Sequence, residues 1–342
     1  MVRVKTWLAP EAALAHGSWV KWIGGASNHD LQGLEDQAAL ATLAGAHCLD
    51  IAADLGVITA VKRGIAWALE QGVPRRPWLM LSLSDGVDPH FRKAVFDPQL
   101  CPSSCPRPCV PVCPALAIDP SIGVIANRCY GCGRCLEICP LNLIQEQAVK
   151  LEGQQLVELL KQAQPDAIEI HTSPGRSQAF AQVLTAISSS DLSLSLLAVS
   201  CGEGREPGQL ALAAYLWQLH GLLTASNWPW LWQLDGRPMS GDIGAGTAHA
   251  AVALFERLGP FLPPGLIQLA GGTNADSRRR LLKIQLSPRP ARGGIAGIAY
   301  GGSARALLQP FLVEAERRGQ RLLHCPDLWP KAQHSLELLW AC

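Results

Sequence analysis

Neither sign of charge dominates this chain. Lysine and arginine total 29 against 28 aspartates and glutamates, for a net charge of +1. That balance leaves no basic excess of the kind that marks a nucleic-acid partner or an anionic membrane surface. Long apolar runs are also missing. The apolar segment from Leu192 to Val199 has only strand length, whereas a helix that spans a bilayer needs about 20 residues. The first residues, Met1 to Pro10, lack the apolar core and small-residue cleavage site of a secretory leader. The expectation is a cytoplasmic protein with no membrane span and no nucleic-acid partner.

Cysteine is present and concentrated. Of 12 cysteines, eight fall between Cys101 and Cys139, in two runs that each end in Cys-Pro. The second run is Cys129-Tyr-Gly-Cys132-Gly-Arg-Cys135-Leu-Glu-Ile-Cys139-Pro140. This is the C-x2-C-x2-C-x3-C-P spacing of a bacterial ferredoxin loop that holds a [4Fe–4S] cluster. Gly131 and Gly133 allow the sharp turns that aim backbone N–H groups at the sulfides. In that pattern the cysteine before proline ligates the other cluster of a pair. The first run, Cys101-x3-Cys105-x3-Cys109-x3-Cys113-Pro114, supplies the partner.

Two clusters with crossed ligand sets follow. One takes Cys129, Cys132, Cys135 and Cys113; the other takes Cys101, Cys105, Cys109 and Cys139. Cys113-Pro-Ala-Leu-Ala-Ile and Cys139-Pro-Leu-Asn-Leu-Ile also read as copies of one unit. The first run departs from the usual pattern in its x3 gaps and in the stiffening Pro106 and Pro108. Zinc is the alternative metal, but two zinc sites favour paired C-x2-C knuckles with a long separation. Disulfides are not expected, because a chain of 342 residues can bury a core without staples, and the cysteines cluster at ligand spacings.

Outside the cysteines, short apolar strand-like segments alternate with amphipathic helical ones. Strands are expected at Trp19–Gly25, Cys48–Ala53, Pro77–Ser82, Ala167–Thr172, Ser195–Cys201, Trp230–Leu234, Gly265–Ala270 and Gly294–Ala299. Helices are expected at Asp30–Ala44, Thr59–Gln71, Leu151–Gln164, Ser177–Ile187, Gly208–Leu222, Thr247–Leu258, Asp276–Leu282 and Ala304–Arg318. Strand starts recur at about 30 residues with one long exception, as in a (β/α)8 TIM-like barrel of about 250 residues. The exception holds the cysteines. The predicted organisation is therefore residues 1–85 as the first three barrel units, 86–148 as an inserted two-cluster ferredoxin-like domain, and 149–342 as the rest of the barrel. An open doubly wound sheet is the runner-up; eight even units favour closure.

An insert after the third strand lies on the barrel face where active sites are built. Candidate side chains at strand ends include His29, Asp50, Asp54, Ser82, Ser84, Asp85, Glu169, His171, Thr172, Ser173, Ser200, Cys201, Glu203, Asp235, Arg237, Ser240 and Asp242. Of these, His29, Asp54, His171 and Arg237 could act as acid, base or anion clamp. The last two units carry Gly271-Gly272-Thr273-Asn274 and Gly301-Gly302-Ser303, the second leading into a helix. Paired glycines and a helix terminus suit a phosphate, and beside iron–sulfur clusters the phosphate of FMN is the expected one. The competing reading is a pair of tight βα turns. Gly244-Ala-Gly246 reads as a helix start rather than a dinucleotide fingerprint, since the third glycine is missing. Cys201 reads as packing, Cys48, Cys325 and Cys342 as bystanders, and the run Trp228-Pro-Trp230-Leu-Trp232 as core and rim.

With these residues in hand, the chain resembles the light-dependent period (LdpA) family of cyanobacteria. The likeness rests on Ile23-Gly-Gly-Ala-Ser-Asn-His29, Cys105-Pro-Arg-Pro-Cys109, Cys129 to Cys135, the stretch from Trp230 to Gly246, Gln268-Leu-Ala-Gly-Gly-Thr-Asn274 and Ala299-Tyr-Gly-Gly-Ser-Ala304. It implies an iron–sulfur protein that relays photosynthetic redox state to the circadian clock, with clock-input proteins as partners; a redox donor protein is expected separately, from the clusters. The eight cluster cysteines carry over; no catalytic residue does. The residues alone favour a second function, an oxidoreductase whose clusters feed FMN or a substrate at the barrel mouth.

Overall fold

The computed structural model describes residues 7–148, 151, 153–203, 209–237, 244–283 and 294–341. Eight parallel strands close into a barrel: β1 (Trp19–Gly25), β2 (Cys48–Ala52), β3 (Trp78–Ser84), β4 (Ala167–His171), β5 (Leu196–Gly202), β6 (Trp230–Asp235), β7 (Leu266–Ala270) and β8 (Ile295–Tyr300). Each pairs with its sequence neighbours, and β8 closes on β1 through Trp19 opposite Gly297. The helices that follow the strands are α1 (Leu31–Ala44), α2 (Leu55–Glu70), α3 (Gly153–Ala163), α4 (Ser177–Ser188), α5 (Gln209–Leu223), α6 (Ala248–Leu258), α7 (Asp276–Lys283) and α8 (Gly302–Arg317). A closed ring rules out the open doubly wound alternative.

Among the described residues, two helices packed on the barrel lie outside that eightfold count. Pro10–Ala15 packs against the β1 and β8 end of the barrel, and α9 (Trp329–Ala341) covers α1 and α8. The expected start of α2 at Thr59 is also too late. Asp54 accepts a hydrogen bond from the Val57 N–H at 3.0 Å, so the helix begins at Leu55.

Alternation along each strand layers the barrel interior, since residues two apart share a face. The lowest layer is apolar: Trp19, Cys48, Met80, Ala167, Leu196, Leu231 and Ala296 pack with Ala13 and Leu14 of the N-terminal helix. The next layer is polar. Lys21, Asp50, Ser82, Glu169, Gln233 and Gln268 are all buried there. A larger apolar shell joins the strands to the surrounding helices. A floor of this kind closes one end, and chemistry is left to the other.

Between β3 and β4 the chain leaves the barrel. It forms an antiparallel pair, Arg92–Val95 with Gln145–Ala148, and a smaller one, Ile118–Asp119 with Gly123–Val124. Two single helical turns, Cys109–Val112 and Arg134–Ile138, each end at the cysteine of a Cys-Pro pair. This segment has its own small core, built around Ala94, Ala117, Ile118 and Ile144 together with Cys109, Cys129 and Cys135.

Candidate functional site

The two cysteine runs share one backbone path. Cys113 has φ −77 and ψ 108, and Cys139 has φ −72 and ψ 111, the extended form that a following proline demands. Three residues later, Leu116 and Asn142 are left-handed with φ of 50 and 51, and six residues earlier Arg107 and Gly133 are left-handed as well. Gly131 has φ +72, and a β-carbon there would collide with the Arg92 carbonyl. The copies read from sequence are thus copies in geometry at three separate places. A leucine in the left-handed region is costly; at Leu116 the surrounding repeat imposes it.

The thiols fall into two groups of four. Cys113, Cys129, Cys132 and Cys135 line one small cavity with apolar walls. Burial, together with charge on Cys132, Cys129 and Cys113, pushes the Cys135 thiol up to about 12. Cys109 is pushed up by burial and feels Cys139, Cys101 and Cys105. Each run therefore sends its last cysteine to the other run's group. Backbone N–H groups of Ala94 and Ala117 donate to Cys129 Sγ at 3.4 Å and Cys113 Sγ at 3.2 Å. Among the described residues no three cysteine sulfurs lie within 4.8 Å of one another.

The insert folds back over the barrel mouth. It meets the loop after β1, where the His29 N–H donates to Asn127 O at 3.1 Å and Ser27 Oγ to Arg92 O at 3.0 Å. It also meets α8, where Arg128 pairs with Glu316 at 2.6 Å and the Arg305 guanidinium lies 4.3 Å from the centre of the Tyr130 ring. Under it lies a cavity of about 660 Å³. Tyr130 and Ala115 line both this cavity and the thiol-lined one, so they form the wall between them.

The cavity floor is the top of the buried polar layer. Lys21 Nζ donates to Asp50 Oδ2 at 3.0 Å and to Glu169 Oε2. Glu169 Oε1 accepts from Gln233 Nε2 at 3.0 Å and pairs with His171 Nε2 at 3.0 Å. Burial opposes charge on Glu169, but Lys21 and His171 hold its carboxyl down to about 2. Burial also opposes charge on His171, yet Glu169 lifts it to about 9. Asp50 and Asp235 are pushed up by burial, and Ser200 Oγ donates to Asp235 Oδ2 at 2.5 Å.

The strand-end candidates divide. Ser82, Glu169, His171, Asp235 and Arg237 line the cavity together with Gly271, Gly272, Thr273, Gly301, Gly302 and Ser303. Asn274 is buried and holds its own loop, donating to Gly244 O at 3.1 Å and accepting from the Asp276 N–H at 2.9 Å. A β-carbon at Gly271 would come within 2.7 Å of Arg237 O, and one at Gly272 within 2.9 Å of Thr247 O. The need for glycine at both is met by the packing of the loop itself. Gly301 precedes α8, whose first turn has no side-chain cap.

His29 and Asp54 stand 4.0 Å apart beside the insert, and Asp54 serves as the α2 cap. Asp85 takes hydrogen bonds from Thr172 and Arg176, and Glu203 pairs with Arg257 at 2.8 Å. Gly244 opens the short turn into α6, with Thr247 Oγ1 bonded to Gly272 O at 2.6 Å. Cys48 and Cys201 are buried, and burial pushes both thiols far up. Trp232 is core, its indole donating to Pro264 O at 3.1 Å. Ser240, Asp242 and Cys342 lie outside the described residues. Sequence reasoning missed Lys21, Asp88, His90, Tyr130 and Arg305. Tyr130 was visible only as a spacer between ligands.

A barrel whose mouth is overhung by two groups of four thiols defines the class: an iron–sulfur protein on a (β/α)8 scaffold. Residues 101–150 match the model of the LdpA Fe-S cluster-binding domain, and residues 159–340 that of the Light dependent period A C-terminal domain. Light dependent period A of Synechococcus elongatus is 46% identical over 313 residues, covering 90% of this chain and 87% of that one. The chain belongs to the Light dependent period A family. Among solved structures, two forms of tryptophan synthase from M. tuberculosis align at 9% identity. One has a TM-score of 0.39 over 96% of this chain and 94% of that chain; the other has 0.40 over 98% and 99%.

Proposed function

We propose that this protein is a two-cluster iron–sulfur redox sensor that sets a light-dependent period, and that cluster state is read out at the barrel mouth. One [4Fe–4S] cluster is held by Cys113, Cys129, Cys132 and Cys135, the other by Cys101, Cys105, Cys109 and Cys139, within a ferredoxin-like insert spanning 86–148. Bound clusters would supply one-electron transfer. The observation that carries the reading is the shared wall: Tyr130 faces both the thiol-lined cavity and the barrel cavity, with Arg305 against its ring. A change of charge behind Tyr130 biases Arg305, which also donates to Ile23 O at 2.7 Å at the end of β1. The partners proposed are clock-input proteins on the insert side and a redox donor protein. The relative's name and the family's cluster-binding domain support this reading.

A second reading, a flavin-dependent oxidoreductase, is favoured by the 660 Å³ cavity and by the uncapped first turn of α8 that opens onto it. Gly301, Gly302 and Ser303 would hold the FMN phosphate, with Arg305 beside it. One preparation tests both. Purified without oxygen, the protein is expected to carry about eight iron and about eight acid-labile sulfide per chain. Zinc without sulfide overturns the cluster assignment. Released FMN fluorescence in proportion to protein favours the enzyme; its absence leaves the sensor.

A further inference from the structure

We propose that Asp88, His90 and His171 form a mononuclear site for a divalent transition-metal ion at the edge of the barrel cavity, separate from the cysteine groups. One ligand atom from each of the three lies within 4.8 Å of the other two. Asp88 Oδ1 and His90 Nδ1 are 2.7 Å apart, and the rings of His90 and His171 are 4.7 Å apart between centres. Neighbouring ligands on an ion at ~2.1 Å stand about 3 Å apart, so a single ion can bridge this set after small side-chain movements.

The surroundings are those of a built site. His171 is buried at the end of β4, and its Nε2 pairs with Glu169 at 3.0 Å. A histidine that ligates a metal usually commits its other ring nitrogen to a carboxylate in this way. Glu169 is fixed in turn by Lys21 and Gln233. That leaves Nδ1, whose contact with Ser200 Oγ is long at 3.4 Å. Two imidazoles and one carboxylate suit Mn(II), Fe(II) or Zn(II), and three protein ligands leave positions open. His90 and His171 both line the cavity, so those positions face the space a ligand would enter. Asp235, also on the cavity wall, places a further carboxyl group nearby. Asp88 and His90 belong to the same β3–β4 connection that carries the cysteines, so this site and the thiol groups are held by one segment.

The test uses the full chain with its clusters loaded, under anaerobic conditions, titrated with Mn(II). Mn(II) is chosen because thiolates bind it poorly. Free Mn(II) is read by its solution EPR signal. The expected result is one retained Mn(II) per chain, with D88N and H90N each weakening it by about tenfold or more while iron and sulfide contents stay unchanged. Two outcomes overturn the proposal: no retained Mn(II), or equal retention by the parent and both variants. Either one makes the three residues an ion-pair network only. Asp88 and His90 are partly exposed on the insert, so these variants leave the barrel core untouched.

Discussion

Lys21 shows where single residues escape a reading of the chain. It lies in a strand legible from Trp19 to Gly25, yet its partners Asp50 and Glu169 come from two other strands. A lysine in an apolar run carries no local sign that it is buried between carboxylates; only barrel closure brings them together. His47 is a second such case. Its ring stacks on Trp19, and its Nδ1 accepts from the Val20 N–H at 3.0 Å. Burial lowers it from 6.5 to about 4. The folded state thus keeps it neutral where the unfolded chain would protonate. Its contribution is complete above about pH 6.5 and is lost as pH falls toward 4. Replacing His47 by Asn is expected to flatten the fall of melting temperature across that window, relative to the parent, in a pH series of thermal melts.

At the scale of elements, period was informative, while helix caps and long-range packing went unread. Asp30 and Asp54 each cap a helix through the N–H three residues on, and the strand at Trp19–Gly25 was read to the residue. Helix α9 falls outside any eight-unit count because its reason to exist is the surface of α1 and α8 that it covers. The α1–α2 contact has a similarly hidden determinant. Gly64 of α2 sits against α1 so closely that a methyl group would overlap the Glu35 carbonyl and press on the Ala39 amide. Alanine in a helix normally gains about 0.5–1 kcal/mol over glycine. Overpacking against backbone that cannot yield costs about 1–3 kcal/mol. The second effect wins, and G64A is expected to lower stability by about 1–2 kcal/mol in urea unfolding.

For the whole molecule, the regular spacing of strands made the barrel legible, and one long interval made the insertion legible. Its docking was not, because the insert leaves after β3 and comes to rest on the β1 loop and α8. Its own core is small, and three of its seven buried residues are cysteine. Strands of two and four residues and helices of four and five give such a segment little hold of its own without cross-links. Cluster-free protein is therefore expected to lose amide-exchange protection across 86–148 while the barrel strands keep theirs. Uniform loss over the whole chain would show instead that the barrel depends on the insert.

The position of the insert on its barrel also sets an order of events during synthesis. The last cysteine of the two runs, Cys139, is made well before the later barrel units. Arg305 and Glu316, which the insert must meet, follow it by more than 160 residues. Neither group of four can be completed from one run alone, so the first run waits for Cys139 and both then wait for α8. For that interval the insert stands without the α8 contacts that later seat it on the barrel.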